Sequence, residues 1–210
     1  MKKTITTLAL FFACVLTLMA SDETYVKALE SAIAQMKAAK SVDELQAVAN
    51  KFEMIGDNTA GEWLPDYYAA ICYAHMSFME KDARKRDQYV TKAETLLEPI
   101  KAENDELYVM RAYVAMANMA IDGQNRWQKQ GAIFQTNLKQ AEKLNPENPR
   151  VYYLQGTNLL HTPASFGGGT KNACPVLQKA KAKFEAFKPA SSIAPNWGKE
   201  DLERYIAQCK

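Results

Sequence analysis

The two histidines are the residues of this chain best suited to acid–base or metal chemistry. His75 and His161 are the only histidines in 210 residues, and no metal-ligand spacing such as His-x-x-x-His joins them. A zinc site needs three or four ligands close together, and we expect these two residues to lie two helix hairpins apart. No Gly-x-Ser-x-Gly motif marks a nucleophile. The sequence therefore predicts no enzymatic activity, no metal site and no cofactor.

A run of three glycines, Gly167 to Gly169, follows Pro163 and Phe166 between two predicted helices. A phosphate-binding loop would need a closing Gly-Lys-Ser/Thr and a preceding strand, and this segment has neither. Glycines allow a tight turn because they adopt backbone conformations with positive φ at little cost. We therefore interpret the segment as a structural loop and expect Phe166 to fill the gap between the two helices.

Three of the four cysteines lie beyond residue 20, namely Cys72, Cys174 and Cys209. Cys72 lies in a small, apolar helical stretch, which favours a buried and reduced thiol. Cys174 lies near the start of one predicted helix and Cys209 at the end of the last, so antiparallel packing would bring the two together. We predict a disulfide between Cys174 and Cys209. The alternative is three free thiols.

The first 20 residues have the order of a secretory signal peptide. Lys2 and Lys3 precede an apolar run over 5–19 that Ala20 closes, and this run is shorter than the roughly 20 residues of a membrane span. Cleavage after Ala20 leaves 24 basic and 24 acidic residues, so the formal net charge is zero. A neutral chain binds nucleic acid and anionic lipid poorly. We predict a periplasmic or secreted single domain over 21–210, without a nucleic-acid partner or membrane insertion.

Beyond residue 20 the chain is predicted to be helical throughout. Apolar residues recur at spacings of three and four, and no stretch alternates as a strand does. Ser41, Asp82 and Asn104 or Asp105 are the expected N-caps, and Gly and Pro residues mark further breaks. The predicted helices cover approximately 22–39, 42–56, 63–79, 82–100, 106–121, 125–144, 149–161, 170–187 and 199–209.

The spacing of small and aromatic residues resembles tetratricopeptide repeats. In the last full unit, Tyr152 takes the aromatic position and Gly156 the small position of a first helix, and a second helix follows the small-large-small pattern with Ala173, Leu177 and Ala180. The match is specific at 138–180 and degenerate elsewhere, and the helix pairs are longer than the usual repeat. The resemblance implies an all-α, tetratricopeptide-like stack of about four antiparallel helix hairpins plus a short C-terminal helix.

Two further segments resemble a group of secreted, repeat-containing proteins of Bacteroidetes-like bacteria. The loop from Pro163 has the form Pro-x-x-Phe-Gly-Gly, and residues 195–200 read Pro-Asn-Trp-Gly-Lys-Glu. No biochemical activity accompanies this resemblance. It therefore implies a fold and a compartment only.

First helices of tetratricopeptide repeats present a concave face to their partners. The resemblance places five residues of the last full unit on that face: Arg150, Tyr153, Thr157, Leu160 and His161. An Arg and a Tyr one helical turn apart form a suitable anchor pair. We expect a non-enzymatic periplasmic module that binds a protein or peptide in this groove. The alternative is an accessory small-molecule-binding protein of a transport or uptake system.

Overall fold

The computed structural model describes residues 23–209, and within that range all regular structure is helical, without a strand. The α-helices are α1 (23–38), α2 (Val42–Asp57), α3 (Leu64–Met79), α4 (Ala83–Leu97), α5 (Asp105–Met119), α6 (Gly123–Leu144), α7 (Pro149–His161), α8 (Thr170–Ala186) and α9 (Lys199–Ile206). Short 3₁₀ helices cover Ala164–Phe166 and Ala207–Cys209. The all-α prediction is thus confirmed, whereas the predicted signal peptide lies outside the described residues.

Polar side chains start the helices by satisfying free backbone N–H groups. Ser41 Oγ accepts from the Glu44 N–H at 3.2 Å, Asp82 accepts from the first turn of α4, and Asn104 accepts from Leu107 at 2.8 Å. These three residues are N-caps that the sequence predicts. Asn148 caps α7 in the same way by accepting from the Arg150 N–H at 2.9 Å.

Successive helices with short connections pack as pairs: α3 with α4, α5 with α6, and α7 with α8. The first helices of these pairs also contact one another, because α5 packs against both α3 and α7. We call α3, α5 and α7 the inner helices. Because the inner helices have neighbours on several sides, most of their residues are buried, as are 12 of the 16 residues of α3.

The pair formed by α7 and α8 makes its closest approach at Gly156. A Cβ atom placed on Gly156 would lie 2.6 Å from Leu177 Cδ2 and 3.2 Å from the Leu177 backbone nitrogen. Leu177 is fully buried, and so are its neighbours on the same face of α8, Ala173 and Ala180. The small-large-small pattern therefore lies at this helix contact, as the sequence predicts.

Residues 187–209, which we call the C-terminal segment, run back across the inner helices. The Tyr68 hydroxyl donates to the Ile193 carbonyl at 2.8 Å, and Trp197 Nε1 donates to the Tyr67 hydroxyl at 2.8 Å. The Trp197 ring also lies 5.3 Å from the Tyr113 ring and 6.1 Å from the Tyr153 ring, measured between centroids. The surface of α3, α5 and α7 that faces this segment is the inner face.

A disulfide between Cys174 and Cys209 fastens the end of the C-terminal segment to the start of α8, with 5.6 Å between the two Cα atoms. Cys72 is free and buried. This is the cysteine pairing that the sequence predicts. Within the part of the chain that the structure describes, none of the helices combines the length and apolar character of a transmembrane span.

Candidate functional site: the inner face and its open end

The inner face carries a continuous row of aromatic rings. From α5 to α7 the row runs through Tyr113, Trp197 and Tyr153, each within 6.1 Å of the next by ring centroid. A histidine packs at either end of this row, because His75 lies 5.7 Å from Tyr113 and His161 lies 6.1 Å from Tyr205, which in turn contacts Tyr153. The site is therefore built from residues of four helices and of the C-terminal segment.

Arg150 lies on the inner face but does not reach solvent, so its predicted role as an exposed anchor needs correction. Its side chain is 0% exposed and forms an ion pair with Glu106 of α5, with Nε 2.9 Å from Glu106 Oε2. The rings of Phe187 and Trp197 cover the guanidinium, with centroids 4.6 and 6.0 Å from Arg150 Cζ. The residue stabilises the contact between α5, α7 and the C-terminal segment.

Tyr153 and Thr157 are also buried on the inner face. Tyr153 packs against Trp197 and Phe184, and Thr157 Oγ1 has no hydrogen-bond partner among the described residues. The sequence assigns these residues to the correct side of α7. Tyr153 is unavailable to a partner because Trp197 and Tyr205 of the C-terminal segment pack against it, and Thr157 is unavailable because it is buried.

The inner face stays accessible beyond Trp197, towards the C-terminal ends of the inner helices. His75 follows Tyr67 by eight residues on α3, and His161 follows Tyr153 by eight residues on α7. Eight residues make about 2.2 helical turns and about 12 Å of rise, so both histidines stay near the inner side. We call this region the open end; it comprises His75, Phe78, Met116, Leu160 and His161, all half-buried or exposed.

Apolar surface dominates the open end. Phe78 is 40% exposed although its ring contacts Tyr113 at 5.7 Å. Met116 and Leu160 pack against the core while remaining partly accessible. Aromatic rings and thioether groups both make favourable contacts with apolar and aromatic groups. Leu160 and His161 are the two predicted binding residues that the structure leaves accessible here.

Burial lowers the pKa of His75 below its ordinary value, and the negative charge of Asp201 on α9 opposes that shift. The imidazole is therefore neutral at neutral pH. Neutral imidazole is the form that binds metal ions. The sequence predicts only that the two histidines lie two helix hairpins apart, whereas the structure places each of them at one end of the aromatic row.

The glycine loop after α7 adopts the tight turn that the sequence predicts. Gly167 and Gly169 have φ values of 82° and 83°, and a Cβ atom on Gly168 would lie 2.0 Å from the Thr162 carbonyl oxygen. The expectation that Phe166 fills the gap between α7 and α8 is wrong, because its side chain is 79% exposed.

The remaining repeat position, Tyr152, lies on the side of α7 that faces α8. Its hydroxyl donates to the Pro146 carbonyl at 2.9 Å, and Lys179 Nζ lies 3.9 Å from its ring centroid. Tyr152 therefore links the α6–α7 turn to α8 and takes no part in the inner face.

Fold and site together define an all-α protein of paired helices with an aromatic inner face that is partly closed by its own C-terminal segment. No protein-family model and no curated protein matches the sequence. Among solved structures, the chain is similar to the HusA haemophore from Porphyromonas gingivalis, with 30% sequence identity and a TM-score of 0.77. The match covers 89% of this chain and 92% of that chain. The chain belongs to the family of that haemophore.

This similarity agrees with the resemblance to secreted helical proteins of Bacteroidetes, and it favours an extracellular or periplasmic protein. It also fits the alternative in the sequence analysis, a small-molecule-binding accessory protein of an uptake system, better than a general interaction module. The tetratricopeptide assignment stays a prediction.

Proposed function

We propose that this protein is a non-enzymatic, haem-binding accessory protein of an uptake system outside the cytoplasm. The observation that carries the proposal is its 30% identity to a haemophore over 92% of that haemophore's chain. We further propose that haem binds at the open end of the inner face.

The open end suits haem by its chemistry. Haem is a flat apolar macrocycle with a central iron and two carboxylates at one edge. Phe78 offers an exposed ring, while Met116 and Leu160 offer apolar surface that the core does not fully cover. Arg204 of α9 is exposed, and its guanidinium lies 5.4 Å from the Tyr205 ring centroid. It pairs with Asp201 at 2.8 Å in the protein without ligand, so a haem carboxylate would have to share it or displace Asp201.

His75 and His161 are the residues of the open end whose imidazoles could bind the iron. They lie on α3 and α7 with α5 between them, and helix axes pack about 8–10 Å apart, so we propose that one of the two binds the iron. Comparison of haem with metal-free protoporphyrin measures how much the iron contributes. Equal affinities would assign binding to the apolar surface alone.

The test is a titration of the purified protein with haem, followed in the Soret absorbance band, and repeated with metal-free protoporphyrin by fluorescence. Phe78→Ala should weaken binding about tenfold, because an aromatic contact contributes about 0.5–1.5 kcal/mol beyond its buried area. The matched control is Trp127→Ala, which removes a ring that is 57% exposed on α6, away from the inner face.

Saturable binding that Phe78→Ala weakens and Trp127→Ala leaves unchanged supports the proposal. Absence of saturable binding of either porphyrin would overturn the proposal. It would favour the protein- or peptide-binding module that the sequence analysis expects. Binding that neither substitution affects would retain the function but remove the open end as its site.

Export follows from the same proposal and from the signal-peptide pattern of residues 1–20. The protein recovered from the periplasm or medium should begin at Ser21, and intact-mass measurement checks this. A mass that retains residues 1–20 would contradict cleavage after Ala20.

A further inference from the structure

Helix α9 is short and buries little of its own surface. It has eight residues, and Leu202 is its only buried side chain. Isolated helices of this length are marginal in water. α9 packs against α8 and, through Tyr205, against α7, and the disulfide that joins Cys209, three residues beyond its end, to Cys174 fixes its C-terminal end.

The exposed side of α9 forms one wall of the open end. Tyr205 lies 6.1 Å by ring centroid from both Tyr153 and His161, so it extends the aromatic row towards solvent. Asp201, one turn earlier, lies close enough to His75 to affect its pKa. Tyr205 itself is half-buried, so one part of its ring faces the row and another part stays accessible.

We infer that α9 is part of the ligand site, with Tyr205 as a contact residue for the porphyrin and the Cys174–Cys209 disulfide as the bond that positions it. This inference rests on the proposed function. Its consequence is that porphyrin affinity depends on the oxidation state of the disulfide. Reduction by a dithiol transfers two electrons and two protons to the bridge, which becomes two thiols, while the reagent closes to a cyclic disulfide.

Loss of the disulfide frees the C-terminal end of α9, which few other contacts hold in place. The helix pairs α3–α4, α5–α6 and α7–α8 do not depend on it, because their contacts lie within and between the pairs. Opening of the bridge should therefore move Tyr205 without unfolding the inner helices. A bond with a purely structural role would change thermal stability and leave the affinity of the folded protein unchanged.

The experiment measures the affinity for metal-free protoporphyrin, which avoids binding of thiols to iron. The wild-type protein is titrated oxidised, after reduction by dithiothreitol, and after reoxidation and removal of the reagent; Cys209→Ser is titrated under the same three conditions. Tyr205→Ala and Tyr205→Leu keep the bridge and test the contact directly. Circular dichroism verifies that each form is folded.

We expect affinity to fall about tenfold on reduction, to return on reoxidation, and to stay low and unresponsive in Cys209→Ser. Tyr205→Ala should show a similar loss with the bridge intact, and Tyr205→Leu a smaller one. Unchanged affinity in Cys209→Ser and Tyr205→Ala, beside a wild-type protein that binds, overturns this inference alone. Failure of the wild-type protein to bind any porphyrin overturns the proposed function instead.

Discussion

Substitution of Gly156 by alanine tests the close contact between α7 and α8. The added Cβ would lie 2.6 Å from Leu177 Cδ2, 2.8 Å from Leu177 Cγ and 3.2 Å from the Leu177 backbone nitrogen. Leu177 is fully buried on α8, so it cannot move outwards into solvent. Either its side chain changes rotamer or the two helices separate.

Two opposing terms set the magnitude. Overpacking of a filled contact costs about 1–3 kcal/mol, whereas alanine gains about 1 kcal/mol over glycine in a helix interior. The net expectation for Gly156→Ala is a loss of stability of about 0–2 kcal/mol. Gly131→Ala on α6 is the matched control, because its nearest contact is Met119 Sδ at 4.0 Å. That control should gain about 1 kcal/mol.

The assay is equilibrium unfolding in urea, read by circular dichroism, with thermal melting as a second measurement. The two variants should differ by about 1–3 kcal/mol in the free energy of unfolding, which corresponds to several degrees in Tm for a chain of this size. Gly156→Leu should destabilise more than Gly156→Ala. If Gly156→Ala gains as much stability as Gly131→Ala, the close approach of α7 to α8 is refuted.

Three further predictions concern a buried ion pair, a buried thiol and the half-buried His75. Glu106→Gln should lower the free energy of unfolding by about 3 kcal/mol, because it leaves the Arg150 charge buried without its ion pair; a melting curve like that of the wild type contradicts this. Burial raises the pKa of Cys72 to about 12, so native protein should resist alkylation at pH 8, and denatured, unreduced protein should show one free thiol rather than three. Burial depresses the pKa of His75 in the folded protein. As the pH falls below about 6.5, His75 is therefore protonated in the unfolded chain before it is protonated in the folded protein, and the free energy of unfolding should decrease. His75→Gln should flatten that fall, and an unchanged pH profile would exclude His75 as its source.

Local signals in the sequence were sufficient to predict the helices and the contact between α7 and α8. The predicted range 149–161 coincides with α7, and α3 ends at Met79 as expected. Caps, Pro and Gly act on the residues beside them, so their effect can be read without knowledge of the fold. The same applies to Gly156 and Leu177, because a helix pair joined by a short connection has a restricted register.

The occupant of the inner face was not predictable in this way. Ile193 and Trp197 belong to a segment without helical or strand periodicity, and their hydrogen-bond partners, Tyr68 and Tyr67, lie more than 100 residues earlier in the chain. Burial of Arg150 depends on the same long-range contact. The sequence thus indicates which side of α7 faces inwards, but gives no local signal that the chain itself covers most of that side.

The return of the C-terminal segment to α3 changes how the stack shares its stability. In an open array of repeats each unit contacts only its neighbours, so stability is nearly a sum of local terms and units fray from the ends. Here Trp197 bonds to Tyr67, 130 positions earlier, and a disulfide anchors the same segment to α8. The early and late hairpins are therefore joined as in a closed ring. Gain or loss of one hairpin, which linear arrays tolerate, would put Trp197 out of register with all three inner helices at once.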